Sequence, residues 1–162
     1  MTHPAKRMID RVRLDIEFFF GVIMDHLLIP GRLDELEQVH EWTRRQLDRA
    51  RVPNEMRHNV LLALSECVTN AIRHGCKECR TSKVKLECES IVGDAAREHE
   101  IAFTIRDHGA GFAPELVPDP TDGAYLHRPG GRGVYLVKAL TSESSIESSS
   151  DGTSVTFRFR WK

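Results

Sequence analysis

Apolar residues recur at helical spacing through the first half of the chain and alternate with polar ones through most of the second. From Pro53 onward, Val60, Leu61, Leu64, Val68, Ala71 and Ile72 return every three or four positions, which predicts a helix with one buried face. Pro53 is tolerated in a first helical turn, and Gly75 can end the helix. Leu33, Leu36, Val39, Trp42, Thr43 and Leu47 have the same spacing and predict an earlier surface helix over Arg32 to Arg51. Val84, Leu86 and Cys88 share one side of a predicted strand, and Ile101, Phe103 and Ile105 one side of the next. The polar run Gly93 to Glu100 connects them. Val134 to Leu140 reads as a short apolar helix. The end reads as a hairpin: Ser144 to Ser148, a turn at Asp151-Gly152, then Val155, Phe157, Phe159 and Trp161 alternating with polar residues.

The stretch before Leu27 fits two patterns. Val12, Leu14, Ile16 and Phe18 alternate as in an edge strand, whereas FFFGVIM also fits a helix. Leu27 to Ile29 predicts a short strand closed by Pro30-Gly31. Helices first and mostly antiparallel strands afterwards predict an α+β two-layer sandwich, a mixed, mostly antiparallel sheet with helices on one face. The expected organisation is an extension or added strand over 1–26 and one domain over 27–162. The extension leaves open a dimer element, a partner element or simply a further strand.

Composition adjusts this picture little. The 162 residues, 40% of them hydrophobic and 29% charged, suit a single globular domain. With 23 basic against 24 acidic residues, the net charge of -1 favours neither nucleic acid nor a membrane surface as partner. No apolar run has the length of a membrane span, and no secretory signal pattern opens the chain. Cys67, Cys76, Cys79 and Cys88 are therefore expected as reduced thiols in the cytoplasm. His74, Cys76 and Cys79 offer three soft ligands, but a structural zinc site wants four.

Candidate chemistry concentrates in four places. Glu66, Asn70 and His74 lie at successive intervals of four, so a carboxylate and a carboxamide share one helical face. Such a pair can place a base and an oxygen ligand for a hard cation in one pocket, although the spacing also fits a solvated stripe. Asp107, with Gly109 and Gly111, leaves a strand end where glycines permit close approach of a ligand and the aspartate can accept a bond from an exocyclic amine. Gly130-Gly131-Arg132-Gly133 precedes Val134, where free amides at a helix start favour phosphate. Gly152-Thr153 is a hairpin turn whose hydroxyl can reach a bound base.

In order and spacing, Glu66-x-x-x-Asn70-Ala71-x-x-His74, Asp107-x-Gly109-x-Gly111, Gly131-x-Gly133 and Gly152-Thr153 resemble the N, G1, G2 and G3 boxes of the Bergerat (GHKL) ATP-binding fold. SECVTNAIRHG and GGRGVYLVKAL look most like bacterial anti-sigma factors that are also serine-protein kinases. The resemblance covers roughly Leu27 to Trp161. It implies ATP and Mg²⁺, with Asn70 holding the metal, Glu66 acting as general base, and His74 closing the helix. It implies Asp107 and Thr153 at adenine, Gly109 and Gly111 along the adenine pocket, and Gly131, Gly133 and Val134 at the phosphates. Arg128 and Arg132 are candidates for the γ-phosphate; Arg132 equally fits a solvent-facing position.

The implied function is an ATP-dependent serine/threonine-protein kinase that phosphorylates a small antagonist protein and can sequester a sigma factor. A homodimer stays open. Two other readings stand beside it: a nucleotide-gated binding module without phosphotransfer, and the catalytic domain of a histidine kinase. Retention of Glu66 speaks against the first, and the lack of an upstream helix pair with a phospho-accepting histidine against the second.

Overall fold

The computed structural model describes residues 17–19, 22–77, 81–93, 98–114 and 133–162. Its elements run β1 (Glu17–Phe19), β2 (Val22–Pro30), α1 (Leu36–Arg49), α2 (Asn54–Asn70), β3 (Lys83–Ile91), β4 (His99–Arg106), α3 (Gly133–Leu140), β5 (Glu143–Ser149) and β6 (Gly152–Trp161). The six strands form one sheet in the order β1-β2-β3-β4-β6-β5. Each of these pairings is antiparallel, in keeping with the mostly antiparallel sheet expected and with no parallel pair among the described strands. The reason lies in the helix pair. Two helices between neighbouring strands carry the chain across the sheet and back, so β3 starts at the end where β2 stopped.

Alternation builds one buried face. Leu27 and Ile29, Val84 and Leu86, Ile101, Phe103 and Ile105, and Phe157 all turn to the helical layer. Val39, Trp42 and Leu47 of α1, Val60, Leu64 and Val68 of α2 and Val137 of α3 meet them there. Fully burying one such side chain is worth about 1.5–3 kcal/mol, so this layer supplies most of the drive to fold. On the opposite face an ion-pair network joins β4, β6 and β5: Glu100 accepts bonds from Arg158 (2.7 Å) and Arg160 (2.6 Å), and Arg160 also reaches Glu143 (2.9 Å), whereas Met24, Leu28 and Ile91 are exposed on β2 and β3.

Several boundaries move. The short strand expected at Leu27 to Ile29 extends over Val22–Pro30, and the chain just before it adds β1 at the sheet edge. So the VIM of FFFGVIM is strand, not helix, and β2 runs unbroken through residues 26 and 27. One inward position of β2 is not apolar: Asp25 is buried and accepts bonds from Gln46 Nε2 (2.7 Å), Arg49 Nη1 (3.0 Å) and the His26 amide (2.7 Å). Those bonds replace the water it gives up. The first predicted helix begins as a 3-10 turn over Leu33–Glu35 and ends before Arg51, whose φ of 57° turns the chain away. Pro53 stands just before α2 instead of inside its first turn. β4 takes in His99 and Glu100, which the polar pattern placed in the connection. No helix among the described residues is long and apolar enough to cross a membrane.

Candidate functional site

The helix that carries Glu66 and Asn70 does not continue as a regular α-helix to Gly75. From Ala71 to Gly75 it widens into a π-turn, closed by a bond from the Cys76 amide to the Ala71 carbonyl (2.8 Å). Single π-turns inside α-helices are frequent at functional sites. This one presses the helix end against the β4 exit. A Cβ on Gly75 would overlap the Asp107 carboxyl group and lie 2.6 Å from the Asp107 Cβ, and one on Gly109 would lie 2.6 Å from the Gly75 Cα. Gly75 is thus a packing requirement of the site, where the sequence suggested only a helix terminator.

Asp107 is buried at the β4 exit, and its Oδ1 accepts the Gly109 amide (2.8 Å). Its own amide donates to the Thr153 carbonyl (2.9 Å), tying the strand exit to the start of β6. Gly152 makes this approach possible: its φ is 133°, and a Cβ there would run into the Asp107 carbonyl. Gly111 (φ 68°) similarly lies against the Ser149 carbonyl.

Between α2, the Asp107 loop, α3 and the β5–β6 end lies a cavity of about 420 Å³. That is within the range of small-molecule sites. Asn70, His74, Asp107, Gly111, Gly133, Val134 and Thr153 line it, seven of the sites named from the sequence. Glu66 and Gly109 do not. Glu66 faces the start of α3, where a Cβ on Gly133 would lie 3.0 Å from Glu66 Oε2 and 2.6 Å from Asn70 Nδ2. Gly109 packs against Gly75 instead of lining the pocket. Arg128, Gly131 and Arg132 lie outside the described residues, as does Cys79.

The apolar wall comes from Ala71, Ile105, Val137, Ile146 and Val155, with Phe112 at the rim, 43% exposed. Cys67, a buried member of the core, also joins that wall. Burial, followed by the charge of Glu66, pushes the Cys67 thiol up to about 12. A thiolate is the reactive form, so Cys67 is expected to resist iodoacetamide at pH 8 in the folded protein and to react once the chain is unfolded. Peptide mass spectrometry of both states checks this; rapid labelling of the folded chain would contradict it. Cys76 is buried too, its thiol directed at the Lys83 carbonyl (3.7 Å). No group of three or more His, Cys, Asp or Glu among the described residues is arranged to hold a metal ion.

A helix-covered antiparallel sheet with a ligand-sized cavity between one sheet end and the helical layer defines an α+β ligand-binding domain. The family follows from comparison: residues 29–159 match the histidine kinase-like ATPase domain, and the chain belongs to that family. It is 32% identical over 102 residues to an anti-sigma F factor of Clostridium perfringens, covering 60% of this chain and 67% of the relative. An anti-sigma F factor of Clostridium novyi is 29% identical over 109 residues, 64% of this chain and 71% of that protein. Among solved structures, part of a chain that holds the RsbU and RsbW domains of Rv1364c from Mycobacterium tuberculosis has a similar fold, with a TM-score of 0.57 at 16% identity. That match covers 86% of this chain and 33% of the other.

Proposed function

We propose that this chain is an Mg-ATP-dependent protein kinase of the anti-sigma kind, transferring phosphate to a serine or threonine of a small antagonist protein. The observation that carries the reading is the make-up of the cavity: the buried Asp107 carboxylate, the Asn70 carboxamide and the start of α3 line it together with an apolar wall, and Glu66 stands just outside it beside Gly133 and Asn70. Asp107 accepts from the exocyclic amine of adenine, and the apolar wall excludes water from the base. The amides at the start of α3 face the phosphates. Glu66 takes the proton of the incoming hydroxyl. Phosphoryl transfer needs positioning and charge neutralisation above all, and these groups supply both.

Magnesium suits this end of the cavity. The Asn70 carboxamide supplies an oxygen, the hard donor type that magnesium takes, and it stands in the cavity lining next to the start of α3. Asn70 would hold the ion, which supplies neutralisation of phosphate charge; nucleotide oxygens and water would complete its shell. The relatives named anti-sigma F factor support a sigma factor as the sequestered partner.

Calorimetric titration with ATP and ADP, each with and without Mg²⁺, tests the reading. Tight binding of ATP that depends on magnesium is expected. Asn70→Ala should weaken it roughly tenfold to a hundredfold, the scale of a disturbed metal shell, without lowering the melting temperature. Unchanged affinity would remove Asn70 from the metal. ATP binding with no transfer to any candidate protein would favour the nucleotide-gated module instead.

A further inference from the structure

One hydroxyl behind the cavity wall has no role in the reading above. Ser148 of β5 stands directly opposite Thr153 of β6, two rungs along from the Ile146–Val155 pair and on the same face. Ile146, Val155 and Thr153 line the cavity; Ser148 stands behind Thr153, half-buried. Its Oγ accepts the Phe112 amide at 2.8 Å and lies 3.1 Å from Thr153 Oγ1.

We propose that Ser148 is a positioning residue for base selection: it fixes the Thr153 hydroxyl as a donor toward the cavity, beside the acceptor carboxylate of Asp107. The argument starts from proton counting. Each hydroxyl has one proton, so between Ser148 and Thr153 only one can donate. The Phe112 amide already gives Ser148 Oγ a hydrogen bond, and an oxygen that accepts becomes a better donor through its own proton. In the proposed arrangement Ser148 donates to Thr153 Oγ1, and the Thr153 proton is left to point into the cavity.

Asp107 and Thr153 are held side by side by the bond between the Asp107 amide and the Thr153 carbonyl. With Oδ1 accepting the Gly109 amide, the Asp107 carboxylate keeps acceptor lone pairs for a ligand. The cavity edge thus reads acceptor, then donor. Adenine presents the complement, the 6-amino group beside N1. Guanine presents the reverse, a 6-oxo group beside N1–H, and would leave buried groups unpaired. Ser148 selects by orienting Thr153, without touching the base. This rests on the nucleotide reading of the cavity.

The test is a double-mutant cycle on the full chain, with ATP and GTP affinities measured by calorimetry for wild type, Ser148→Ala, Thr153→Val and the double variant. Wild type should prefer ATP. Ser148→Ala frees the Thr153 hydroxyl to turn either way, so the ATP-to-GTP ratio is expected to fall roughly fivefold, the scale of one net hydrogen bond. In the Thr153→Val background the same substitution should leave the ratio unchanged. Equal weakening of both nucleotides, or an unchanged ratio in Ser148→Ala, overturns the proposal, because a structural role would act on both alike. Equal affinity of wild type for ATP and GTP overturns base selection by this edge, whereas no binding of either nucleotide overturns the nucleotide reading itself; both are seen before any substitution is made.

Discussion

Glu66→Gln lowers phosphoryl transfer to a protein hydroxyl by about 10²–10⁴-fold while ATP affinity stays within roughly threefold, if Glu66 is the general base proposed here. The separation of the two effects follows from placement. Glu66 does not line the nucleotide-sized cavity but faces the start of α3, beside Gly133 and Asn70. Losing its charge should spare binding of the base and remove the group that accepts the hydroxyl proton. A Glu66→Gln protein that transfers phosphate at the wild-type rate, measured in single turnover with a radiolabelled nucleotide, would end the assignment. A protein that loses ATP binding instead would make Glu66 part of the nucleotide site.

The largest stability effect is expected at Phe103. It is fully buried in β4, edge to face with Trp42 (6.0 Å between ring centres, 72°) and tilted against Phe157 (5.7 Å). Phe103→Ala removes the ring that joins the helical layer to the middle of the sheet. The expected cost is about 3–5 kcal/mol from lost transfer and the cavity left behind. At roughly 2–4 °C per kcal/mol for a domain of this size, the melting temperature should fall by about 6–20 °C. Phe103 does not line the ligand cavity, so ATP affinity measured well below the transition should change little. A melting temperature within 2 °C of wild type, by calorimetry, would mean that the core closes around the gap.

Much of this was legible in the sequence because burial on one face imposes a period on each element. The three-to-four spacing from Val60 to Ile72 marked α2, and the alternation in 84–88, 101–105 and 155–161 marked strands of the sheet. Asn70, Asp107 and Thr153 were named from local pattern, and they line one cavity. What local pattern missed were contacts between segments far apart in sequence. Gly75 reads as a terminator until Asp107 is seen packed against it. Ser148 reads as one polar residue of an alternating strand until Phe112 and Thr153 meet it. Asp25 breaks the apolar alternation of β2, and only Gln46 and Arg49, supplied by α1, explain how it is buried.

By itself, then, the sequence determined the helices, most of the strands, the family and the residue types available for chemistry, since these follow from periodicity and from short motifs. The tertiary structure decided the antiparallel pairing throughout the sheet, the π-turn after Asn70 and the separation of Glu66 from the cavity. Pairing, strain and distance depend on which segments pack together, and packing joins residues that no local period connects.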